Sequence, residues 1–186
     1  MKYAQTLGCM VAVILLSCGC LAKPSNRETV MENEKELDPA FILRWTVIEG
    51  TGDIEIEIQA NCTGWTGISF AEGQIGQPGS YGDVIMGGFN DELQMGYSED
   101  RHIALENPDP ANGHLFDDSN DILLKSARYE EPWTIIRILR SLNTGDSQDI
   151  PIVPGPMTVS WTISPTDDTS SGHGSAGLSR VTFIPL

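Results

Sequence analysis

Carboxylates supply the first chemistry legible in this chain. Asp83 stands where a Gly-rich loop hands over to the apolar run 84–86, and Asp121 closes the acidic stretch 117–121 just ahead of the apolar run 122–124. A carboxylate at such a junction either caps a turn or offers oxygen to a hard cation. Asp117, Asp118, Asp146 and Asp149 read instead as solvated loop charges. Nucleophilic chemistry has no support, since no Gly-x-Ser-x-Gly elbow occurs. Asn61-Cys62-Thr63 forms a sequon, which makes Asn61 a glycosylation acceptor in a eukaryotic host, while Cys62 itself reads as a small buried apolar residue.

The elements that must hold these groups are strands. Residues 64–71 and 82–90 alternate bulky apolar with small or polar side chains, and Gly73, Gly76, Pro78 and Gly79 turn the chain between them. Segment 41–48 is a strand. It is joined through the Gly50-Thr51-Gly52 turn to 53–58, where Ile54, Ile56 and Ile58 face inward and Asp53, Glu55 and Glu57 form a wet face. Weaker strands fall at 92–98 and 102–105, followed by a Pro- and Asn-rich loop at 107–113 that no helix survives. Segment 133–139 pairs with 122–129 through Glu130-Glu131-Pro132, and 157–163 and 178–184 complete the chain. About ten short strands with regular turn signals, and no helical period, predict an all-β antiparallel sandwich of the immunoglobulin-like kind. Trp45, Trp65, Ile68, Phe70, Ile135, Val159 and Trp161 are its expected interior.

Composition narrows the partners. The 186 residues suit a single domain, and the net charge of −15 excludes nucleic-acid binding through phosphates, which needs an excess of Lys and Arg. Lys2, the apolar run 7–16 and Cys20-Leu21-Ala22 predict a signal peptide over 1–22, too short to be a membrane span. A polar, flexible leader over 23–39 then precedes a domain over 40–186. Secretion leaves Cys62 as the one cysteine of the mature chain, so no internal disulfide is expected. The alternative is a lipid anchor through Cys18 in Leu15-Leu16-Ser17-Cys18.

Five motifs carry a family resemblance: Gly64-Trp65-Thr66-Gly67-Ile68-Ser69-Phe70; Gly82-Asp83-Val84-Ile85-Met86-Gly87; Ser98-Glu99-Asp100-Arg101-His102; Asp118-Ser119-Asn120-Asp121-Ile122-Leu123-Leu124; and Ile136-Arg137-Ile138-Leu139-Arg140-Ser141-Leu142-Asn143-Thr144. Together they resemble a DOMON domain, in detail the N-terminal module of dopamine β-monooxygenase-like copper enzymes. The resemblance implies a secreted sandwich that binds haem, a sugar-like ligand or another protein. Copper catalysis is not expected, because His102, His114 and His173 cannot build two copper sites and the chain ends where the module ends. The resemblance also places His173 where cytochrome-type members keep a haem-ligating His. The matching Met position holds Pro78, Gly79 and Ser80, so haem b is expected only if Met86 takes that role. Asp83 and Asp121 match acidic positions of the monooxygenase-type modules. With backbone carbonyls of Val84 and Arg101 they would form an oxygen-only site for a calcium-like ion, their carboxylates within about 6 Å of each other. The expectation is a secreted, non-catalytic module that binds a small-molecule or protein ligand and carries one such ion. The alternative is a haem b electron carrier.

Overall fold

The computed structural model describes residues 29–72, 81–103, 114–172 and 174–186. Residues 1–28, with the expected signal peptide, residues 73–80 and 104–113, and His173 lie outside the described residues. Among the described residues eleven strands run in chain order: β1 (Asn33–Asp38), β2 (Phe41–Ile48), β3 (Asp53–Ala60), β4 (Thr66–Glu72), β5 (Tyr81–Asn90), β6 (Met95–Ile103), β7 (His114–Phe116), β8 (Ile122–Glu130), β9 (Trp133–Ser141), β10 (Pro156–Ile163) and β11 (Ser175–Thr182). They form two antiparallel sheets, β1-β2-β3-β9-β8 and β11-β10-β4-β5-β6-β7. Both hairpins read from the sequence are present, with Gly50 and Gly52 at φ near +80° in the β2–β3 turn, a conformation that favours glycine.

The period-two pattern works as expected where the two sheets face each other. Phe41, Leu43 and Trp45 of β2, the three isoleucines of β3, Ile136 and Ile138 of β9, Ile68 and Phe70 of β4, Ile85 of β5, and Val159 and Trp161 of β10 make one continuous core. Phe183 closes it with edge-on contacts to Trp45 and Phe70, and the Trp45 indole donates to its carbonyl at 3.1 Å. All seven residues expected inside are buried. Trp65, however, belongs to a second apolar layer with Val84 and Met86 on the opposite face of the six-stranded sheet. Its parity explains this, since Trp65 is out of step with Ile68 and Phe70. A segment at 164–171 lies over that layer. Trp65 Nε1 donates to the Asp168 carbonyl at 3.1 Å, and a Cβ on Gly64 would stand only 2.2 Å from the Thr166 carbonyl oxygen, so only glycine admits the strap.

Three details depart from the sequence reading. The polar stretch read as leader is already β1 from Asn33, held by its backbone against β2 with Leu37 packed on the core. Segment 95–103 is one unbroken strand, and the three residues of β7 extend its sheet. The face of β3 read as wet is not wet, because Glu55 and Glu57 are buried. β3 is central, and arginines on both neighbours reach across it: Arg137 Nε lies 2.8 Å from Glu55, and Arg44 Nη1 lies 3.0 Å from Glu57. Each pair neutralises charge while the arginine stems cover the sheet.

Candidate functional site

At one end of the sandwich the alternation that places isoleucines inside places charge there instead. On β9 the inward series Ile136, Ile138 continues to Arg140, and on β5 Asp83 shares its face with Ile85. Arg140 and Asp83 are both closed from solvent and joined at 2.8 Å through Nη1 and Oδ2. Asp100 of β6 and Asp149 of the β9–β10 connection complete the group, with Asp149 Oδ2 3.2 Å from Arg140 Nη2. One carboxylate oxygen from each of Asp83, Asp100 and Asp149 lies within 4.8 Å of the others. Oxygens ligating a cation at 2.3 to 2.6 Å span up to about 5 Å across it, so the trio has the right dimension.

Hydrogen bonds reach only part of this group. Asp83 Oδ2 accepts from the Ile150 backbone N–H at 3.0 Å and Asp100 Oδ2 from that of Asp121 at 2.7 Å. Asp83 Oδ1, Asp100 Oδ1 and both oxygens of Asp149 are buried and accept no hydrogen bond. Three carboxylates against one guanidinium leave a formal charge of −2 in the interior, which requires protons or a cation to balance it.

Electrostatics follows the same imbalance. Burial pushes the Asp83 carboxyl up to about 6, with Arg140 pulling only part of the way back. Burial pushes Asp100 up to about 7, reinforced by the charges of Asp149, Asp117 and Asp83. Burial alone would lower Arg140, but Asp83 and Asp149 outweigh it and raise its pKa. Unfolded aspartates titrate near 3.8. From about pH 4 to about pH 7 these two carboxyls therefore hold more protons in the folded chain than in the unfolded one, and their contribution to stability falls as pH rises. In chelator, the urea midpoint should decline across this interval, and Asp100→Asn should flatten the decline. A midpoint that climbs in the wild type relative to Asp100→Asn would refute the assignment.

Beside the trio, His102 Nδ1 meets Asp117 Oδ1 at 2.6 Å, and burial raises the Asp117 carboxyl against the pull of that imidazole. Asp117 and Asp149, read as solvated loop charges, are thus both enclosed, the side chain of Asp117 being 1% exposed and that of Asp149 3%. Asp121 stands at the same end. It contributes its backbone N–H to Asp100, while its carboxylate accepts from Ser119 Oγ at 3.0 Å and is not one of the three clustered oxygens. Val84 and Arg101 are register partners on β5 and β6. The Arg101 side chain turns to the other face, stacked on Phe116 at 3.8 Å and bonded to Glu99, the His114 carbonyl and Thr169. Met86 is fully buried against Trp65, Asn61 is exposed, and His173 lies outside the described residues. Sequence reasoning missed Asp100, Asp149 and Arg140. Arg140 carried a signal, being a charge in step with Ile136 and Ile138, and Asp149 precedes an apolar residue as Asp83 and Asp121 do.

The family model for the DOMON domain matches residues 37–164. Among solved structures, the cytochrome b domain of pyranose dehydrogenase from Coprinopsis cinerea is similar in fold, with a TM-score of 0.52, 16% sequence identity, and 76% of each chain covered.

Proposed function

The chain belongs to the DOMON domain family, and from that premise we propose that it is a secreted, non-catalytic binding module whose sandwich end holds one hard divalent cation, with calcium the best fit. The observation that carries the cation is the set of buried oxygens of Asp83, Asp100 and Asp149 that accept no hydrogen bond. All-oxygen donors with a surplus of negative charge suit calcium, and the thiol and imidazole donors that favour softer metals are not in the cluster. Closure from solvent supports a structural role, because a group that no substrate reaches holds an ion without turning anything over. Secretion rests on the sequence of residues 1–22, and among the described residues no helix is long and apolar enough to cross a membrane. The ligand is a small molecule or a protein.

Calcium should raise the melting temperature of chelator-treated protein. Linkage gives about 2.7 kcal/mol at a hundredfold excess over the dissociation constant, and Asp83→Asn should remove most of the gain. Equal melting in calcium and chelator would reduce the trio to a proton-sharing cluster.

The fold likeness to a cytochrome b domain favours a second reading, a haem b electron carrier using Met86 and His173. Met86 does not fit that role as it stands, because its side chain is enclosed by Trp65 and Val84, and an iron ligand needs a free face on its sulfur. Protein expressed with haem supplied should show no Soret band. A Soret band lost in His173→Ala would establish the carrier instead.

A further inference from the structure

We infer that the cation acts as a latch on two loops, so that the surface formed by residues 117–121 and 143–149 is ordered only when the ion is bound. This rests on the cation reading above and concerns what the ion does there. The three acids are not equally free to move. Asp83 and Asp100 sit inside strands flanked on both sides, β5 between β4 and β6 and β6 between β5 and β7, so neither leaves the site without breaking a sheet. Asp149 belongs to the connection between β9 and β10. Without a cation, Arg140, 3.2 Å from Asp149 and shared with Asp83, meets only part of the charge, and repulsion from two fixed carboxylates acts on the one acid that a loop can carry away. With a cation, the same acid is drawn in.

What Asp149 carries with it is specific. Its neighbour Ile150 places a backbone N–H on Asp83 at 3.0 Å. One residue earlier, Gln148 Oε1 accepts from the Asp118 N–H at 2.8 Å, and Asp146 is bonded to the Ser119 hydroxyl. The 117–121 loop is fastened independently to the same site through the Asp121 N–H on Asp100. Both loops therefore end on ligands of one ion and are stitched to each other by Gln148 and Ser119. Apolar anchoring is thin: Ile122 and Ile150 are buried, whereas Asp118, Ser119 and Asn120 are exposed. Segments of this kind, with few buried contacts, open at low cost and depend on whatever ties them down.

Hydrogen–deuterium exchange on the full chain, with calcium and with chelator at the same pH, tests the latch. If opening releases the ion, a tenfold excess of calcium over its dissociation constant suppresses that opening about elevenfold. The amides of Asp118, Asp121, Gln148 and Ile150 should exchange faster than those of β2 and β3 in chelator and slow by about that factor in calcium, while that of Leu93 in the β5–β6 turn, at the other end of β5 from Asp83, stays unchanged. Gln148→Ala with Ser119→Ala should keep the calcium melting shift and lose the protection at Asp118. A melting shift without loop-selective slowing overturns the latch and leaves the cation site standing. If calcium produces neither heat of binding nor a melting shift, the cation reading fails and the latch with it.

Discussion

Arg140→Met should destabilise the protein by about 3 to 5 kcal/mol at pH 7.5, the range seen when one partner of a buried ion pair is removed. The variant keeps volume but removes the guanidinium paired with Asp83 and Asp149, in a place where Asp83 and the arginine are both closed from solvent. It also removes the guanidinium that stands 5.5 Å from the Phe70 ring. Urea denaturation reads the loss. Two dependences identify its cause. The loss should be smaller at pH 5, where Asp83 and Asp100 bind protons in the folded state, and smaller in calcium, which supplies the missing positive charge. A loss below about 1 kcal/mol, the level of an exposed pair, or one indifferent to both pH and calcium, would show that Arg140 does not balance the cluster.

Trp65→Ala should cost about 3 to 5 kcal/mol as well, for a different reason. The indole is 1% exposed and fills the layer between the six-stranded sheet and the strap at 164–171, against Val84 and Met86. Its removal opens a cavity and takes the indole donor from the Asp168 carbonyl, which keeps the Ser171 N–H and hydroxyl. The backbone tie between Ser164 N–H and the Trp65 carbonyl, at 2.8 Å, survives, so the strap should loosen rather than detach. Trp65→Phe should recover much of the apolar contact and none of the hydrogen bond. A loss under about 1 kcal/mol for the alanine variant would mean that the strap closes over the gap without the ring.

Legibility in the sequence tracked the reach of each interaction. Strands and their inward faces follow from a period that two or three neighbours already display, as Ile54, Ile56 and Ile58 do. β1 and β7 were opaque because their pairing is set by partner strands and not by their own composition: Asn33–Asp38 has one large apolar residue, and β7 has three residues in all. The family and its sandwich were legible from five motifs whose order mattered more than any one of them. The site was half legible. Asp83 announced itself at a loop-to-strand junction, but its companions come from three other parts of the chain, and only the topology brings β6, β9 and the 149 region to the same end. Asp121 carried the same local signature as Asp83 and serves the site through its backbone, a distinction that side-chain identity cannot encode. Glu55 and Glu57 misled in the opposite sense, since alternation marks them as solvent-facing and only cross-strand arginines reveal why they are buried.

Calcium titrated calorimetrically into chelator-treated full-length protein at pH 7.5 bears most directly on the central claim. The three-carboxylate site predicts saturable binding of a single ion per chain in the wild type, and loss of that binding in Asp149→Asn, a variant whose folding is checked by an intact cooperative urea transition. Absence of binding to the wild type, or binding that persists unchanged in Asp149→Asn, would contradict it.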